Sequence, residues 1–109
     1  MEYGQIWRVI IGREENTFNM VYELSDLEKD ILNSVYFVEP FENILEEVNL
    51  PAPIVADGIK TLIHKKMIVA MRWDEAKMEY VRSFIYDSDN MKAYSYLATK
   101  EGLLAHNSL

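Results

Sequence analysis

"LPAPIVADGIKTLIHKKMI", residues 50–68, changes its periodicity partway along, and that change decides the fold. Up to Lys65 its apolar residues recur at helical spacing. At about 100° per residue, Val55, Ala56, Ile59, Leu62 and Ile63 fall within an arc of about 120°, a core face. Ile54, Asp57, Lys60, Thr61, His64 and Lys65 lie on the other side. From Met67 the period drops to two: "MIVAMRW" (67–73) and "MEYVRSFIY" (78–86) read as strands around a polar "DEAK" connection. A helix from near Pro53 to about Lys65 is therefore expected to run into a β-hairpin. Gly58 inside that helix costs about 1 kcal/mol against Ala. Close backbone approach to the second helix or to a partner is its expected reason.

Upstream lie two more helix signals. In "LSDLEKDILNSVYF" Ser25 and Glu28 make a capping box, Asp26 suits the positive end of the dipole, and Leu24, Leu27, Ile31 and Val35 share a face. The second helix is expected to start at Pro40, with Phe41, Ile44, Leu45 and Val48 as its apolar stripe and Asn49 and "LPAP" ending it. Ahead of both, "IWRVIIG" (6–12) and "FNMVYEL" (18–24) look extended and are expected to form an N-terminal hairpin. Downstream, "DSDN" is a turn, "AYSYLA" (93–98) a third strand, and Thr99 is placed to cap a short last helix, "KEGLLAH".

The chain of 109 residues is the size of one domain. It has no cysteine, which removes disulfides, thiolate nucleophiles and cysteine-based metal sites together. The absence of a basic n-region or of about 18 uncharged apolar residues points to no signal peptide and no membrane span, and a cytoplasmic location fits. The net charge of −7 argues against a general nucleic-acid coat, because Lys and Arg drive phosphate neutralisation. The charge is uneven, however. Residues 1–59 hold 3 basic and 12 acidic side chains, residues 60–82 hold 6 basic and 3 acidic, and residues 83–109 hold 2 and 3.

Helix, helix, helix and then a β-hairpin is the winged helix-turn-helix order. "ENILEEVNLPAPIVADGIKTLIHKKMI" followed by "DSDNMKAYSYLATKEG" resembles the winged-helix domains of multiple-antibiotic-resistance-repressor-type regulators. "LIHKKMI" and "YLATKEG" occupy the places where that family leads from its third helix into the wing and closes the wing. The resemblance covers roughly residues 24–102. It implies an α+β fold with a three-helix core and an antiparallel β wing, here after an N-terminal β extension (1–23) and before a C-terminal stub (103–109). It also implies transcriptional regulation through DNA, as a homodimer. Three features depart from the family: Lys66 stands where Gly usually ends the helix, the long dimerising terminal helices have no counterpart, and the wing gains an extra strand.

By that resemblance, Ile54 and Thr61 would meet bases, and Lys60, Lys65, Lys66, Arg72, Lys77 and Arg82, toward the helix end and wing, would meet phosphates. Base reading usually relies on Arg, Lys, Asn or Gln, and the outer face of the helix offers Ala52, Pro53, Ile54, Asp57 and Thr61 instead. Lys65 and Lys66 equally suit the negative end of the helix dipole. The alternative is a protein-interaction module, with Tyr80, Phe84, Tyr94 and Tyr96 as its surface. On that reading Tyr80, Phe84 and Tyr86 share one strand face and Tyr94 and Tyr96 another. The same aromatics suit cross-strand packing equally well, and Trp7 and Trp73 belong either to that surface or to the core. His64 and His106 have no partner at metal-ligand spacing, and no phosphate loop or nucleophile elbow occurs, so the sequence predicts no enzyme, no metal and no cofactor.

Overall fold

A computed structural model of the chain describes residues 6–12 and 19–107, with side chains from Glu23 to Asn107. Its described residues form an antiparallel hairpin, four α-helices and a four-stranded antiparallel sheet. The hairpin pairs β1 (Ile6–Gly12) with β2 (Asn19–Ser25), from Ile6 opposite Ser25 to Gly12 opposite Asn19. β1 coincides with the extended stretch read from the sequence, and β2 lies one residue later than expected. The polar connection "REENT" (13–17), Phe18 and the side chain of Trp7 lie outside the described residues.

β2 runs directly into α1 (Asp26–Ser34), and Ser25 serves both elements. Its hydroxyl accepts from the Glu28 amide and the Glu28 carboxylate accepts from the Ser25 amide, so the capping box forms in full. Ile31, Leu32 and Val35 are fully buried, with Leu24 of β2 beside them. Next comes β3, only Glu39–Pro40, which pairs with Tyr96 and Ser95. Pro40 is therefore the cap and not the first residue of α2 (Phe41–Val48), and Asn49 ends that helix in the left-handed conformation at φ 57°.

α3 (Ala52–His64) buries Val55, Ile59 and Leu62 completely against α1, α2 and the sheet. Gly58 explains itself here. A Cβ on it would stand 2.6 Å from Ile31 Cδ1 and 3.1 Å from Leu27 Cδ2, so the close approach is to α1 and not to the second helix. The helix ends in a Schellman arrangement: the Lys66 amide donates to Ile63 O and the Met67 amide to Leu62 O. Lys66 takes the left-handed position at φ 64°, where the resemblance placed Gly.

The sheet order is β3-β6-β4-β5. β4 (Ile68–Asp74) pairs with β6 (Ser95–Ala98) on one side and with β5 (Glu79–Arg82) on the other. The β4–β5 turn is held by the Asp74 carboxylate, which accepts from the Ala76 and Lys77 amides. β5 is four residues long, not the nine of the alternating stretch. After Ser83 donates to Ala70 O the chain leaves the ladder, and the Ser83 hydroxyl turns to Ile85 O. Phe84 and Tyr86 therefore belong to no strand. A short 3-10 turn (Met91–Ala93) precedes β6, and α4 (Lys100–Asn107) follows it, with the Thr99 hydroxyl accepting from the Gly102 amide. Ile68, Ala70, Tyr96 and Ala98 face the helices and are buried. This α+β order is compatible with a winged helix.

Candidate functional site

The outer face of α3 is where a winged helix would read DNA. It presents Pro53, Ile54, Asp57, Thr61 and His64, all exposed, with Lys60 half-buried. The Thr61 hydroxyl donates back to Asp57 O in its own helix. Lys60 Nζ lies 3.9 Å from the Asp57 carboxylate, whose side chain is 81% exposed. Ile54 is the one sizeable apolar group there, at 45% exposure. A carboxylate in the middle of this face repels phosphate, and the one side chain on it of the base-reading kind, Lys60, lies beside that carboxylate.

Lys65 is not available to a phosphate. Its Nζ lies 2.7 Å from Glu28 Oε2 and donates to Glu23 O at 2.8 Å. Glu28 is buried, and this lysine is what answers its charge. Lys66 next to it is exposed and has no ion pair among the described residues. Two adjacent lysines thus do different things.

In the wing, residues directly opposite share a face. Arg72 opposite Val81 and Asp74 opposite Glu79 continue the inner face beyond the core. Arg72 is exposed, and so is Lys77 in the turn, but Asp74, Glu75 and Glu79 surround them. Against Lys60, Arg72 and Lys77 therefore stand Asp57, Asp74, Glu75 and Glu79. The positive balance of residues 60–82 depends on Lys65, Lys66 and Arg82, of which the first is internally paired.

The outer face carries Met71 opposite Arg82 and Trp73 opposite Tyr80. Trp73 and Tyr80 pack edge to face with centroids 5.1 Å apart, and both remain more than two-fifths exposed. Met78, at φ 54° in the turn, Phe84 and Ile85 are more exposed still. Arg82 lies over the Phe84 ring at 4.4 Å.

The expected aromatic cluster divides. Tyr80 and Phe84 are on the surface. Tyr94 is half-buried, accepts from the Asp87 amide and packs edge to face on Tyr86, so it pins the 83–94 segment. Tyr96 is fully buried and donates to Met91 O, which removes it from any interaction surface. Burial, with Tyr86 and Tyr94 nearby, holds its hydroxyl well above the ordinary tyrosine range. Its partner carbonyl lies in a turn that periodicity does not reveal. Trp73, Met78 and Ile85 complete the exposed set; only Trp73 was a candidate from sequence.

Elsewhere, the Tyr36 hydroxyl donates to Asn107 Oδ1 and lies 2.7 Å from His106 Nδ1, so it ties α4 to the end of α1. Glu39, Asn43, Glu46 and Glu47 line an acidic hollow along α2. Among the described residues no helix is long and apolar enough to cross a membrane, and no three acidic, histidine or cysteine side chains cluster as metal ligands. The chain matches no protein-family model, and neither a curated protein nor a solved structure matches it.

Proposed function

We propose that the chain is a winged-helix domain working as a protein-interaction module, with the wing as its contact surface. The observation that carries this is the aromatic ledge of Trp73 on β4 and Tyr80 on β5, the strand whose far edge has no strand beside it among the described residues. An edge strand offers unpaired N–H and C=O groups to another chain, and exposed aromatics beside it anchor the side chains that arrive. The occupant proposed is an extended segment of a protein partner laid along β5. What speaks against DNA reading is the charge on the alternative surface: Asp57 on α3, a carboxylate-rich wing turn, and Lys65 withheld by Glu28.

The test places a photo-crosslinking residue at Tyr80 and, as control, at Glu42 on the acidic outer side of α2. The partner crosslinked from the wing is then purified. Its affinity for the chain should fall at least about thirtyfold when Trp73→Ala and Tyr80→Ala are combined, the loss of an aromatic anchor pair. Equal crosslinking from both positions, or unchanged affinity of the double variant, would sink the reading. So would duplex binding at low salt that weakens steeply as salt rises. Sedimentation of the chain alone tests whether a second copy, the expected homodimer, is what takes the edge.

A further inference from the structure

β5 ends opposite Met71, three residues short of where β4 begins, and the missing strand length leaves a groove. Its volume is about 400 Å³, within the span of small-molecule sites. Its walls come from four parts of the chain: the end of α3, the first half of β4, the 82–86 strap and the start of α4. Ile63 and Ile68 line its apolar side. Three cations from three of these parts, Lys66, Arg82 and Lys100, line it as well, and Glu101 is the one carboxylate among the lining residues. None of the three cations has an ion pair among the described residues. Phe84 and Tyr86 add ring surface, and Arg82 is already held over the Phe84 ring.

Three like charges share this one concavity with a single carboxylate, so their mutual repulsion favours an anion arriving from outside. Three cations less one carboxylate suit a group of about two negative charges, which is the charge of a phosphate monoester near neutral pH. We infer that this groove binds a phosphomonoester carrying a flat aromatic body, a nucleoside monophosphate being the readiest example. The phosphate lies among Lys66, Arg82 and Lys100, and the ring lies against Phe84 and Tyr86. This site is separate from the wing ledge and does not rest on the interaction reading.

Calorimetric titration with adenosine 5′-monophosphate tests it, with adenosine, inorganic phosphate and a short DNA duplex as comparison ligands. Saturable one-site binding of the monophosphate is expected, with inorganic phosphate competing more weakly and adenosine giving no signal. Arg82→Gln and Lys100→Gln should each weaken binding about tenfold, the loss of one charge-assisted contact, while Lys77→Gln in the wing turn changes nothing. Lys66→Gly should weaken it comparably while raising the melting temperature, so its loss of binding is not loss of fold. No saturable binding, equal binding of adenosine, or full affinity in the Arg82 and Lys100 variants would overturn the inference. Tight duplex binding with none of the monophosphate would overturn it too, because the cations would then serve a polymer backbone.

Discussion

Replacing Lys65 by Met keeps the aliphatic stem and removes the ammonium group. What is lost follows from the geometry: one contact at 2.7 Å to Glu28 Oε2 and one at 2.8 Å to Glu23 O. What is left behind matters more. The Glu28 side chain is 9% exposed and would keep its charge with the Ser25 amide as its remaining described donor. Breaking a fully buried pair costs about 3–5 kcal/mol. Lys65 is 32% exposed, so water reaches the vacated position and the cost falls to about 2 kcal/mol. In a domain of this size that lowers the melting temperature by roughly 8–15 °C.

Thermal or urea unfolding of Lys65→Met, Glu28→Gln and the double variant forms a cycle that isolates the pair. The double variant should be markedly more stable than the sum of the singles implies, because it leaves no buried charge. A coupling energy under about 0.5 kcal/mol, or a Lys65→Met shift under about 3 °C, would refute the claim that this lysine is spoken for by the fold. The outcome also bears on function. Lys65→Glu would face a buried carboxylate with another, so any binding lost in that variant would report unfolding and not a missing phosphate contact.

Lys66→Gly should act in the opposite direction, stabilising the chain by about 1 kcal/mol through relief of its left-handed conformation, as read by the same unfolding curves. The two helical glycines should differ in severity. Gly102→Ala sets a Cβ 2.2 Å from the Met67 carbonyl oxygen, a backbone atom, and should cost about 3 kcal/mol or leave little folded protein. Gly58→Ala meets side chains alone, the tip of Ile31 and Leu27, gains helix propensity in return, and should cost about 1 kcal/mol in urea unfolding. Tyr96→Phe should cost about 1 kcal/mol at neutral pH through its lost bond to Met91 O. The Tyr96 pKa is raised by folding, so its contribution is whole below pH about 10 and drains away above it; the wild type should lose stability there faster than the Phe variant.

The three packed helices were legible because each declares itself locally. The capping box of Ser25 and Glu28 lies within four residues, and Val55, Ile59 and Leu62 announce their face by spacing alone. Elements made by distant partners were not. β3 is two residues long, too short for any period, and exists because Tyr96 and Ser95 lie beside it. The alternation of "MEYVRSFIY" runs on past Arg82, yet the strand stops there because Ser83 turns its hydroxyl to Ile85 O. No periodicity records that turn.

Charge was the least legible property, and for a physical reason. In the sequence Lys65 and Lys66 are one basic run; in the fold one caps a buried carboxylate 37 positions earlier, and the other occupies a left-handed helix end that turns it toward a groove. Arg72 and Arg82 are likewise divided, since β4 and β5 place them on opposite faces of the wing. A count of +3 over residues 60–82 therefore describes no single surface. Three cations without an ion pair among the described residues, Lys66, Arg82 and Lys100, gather where β5 fails to continue, beyond the end of α3 and not on its outward face.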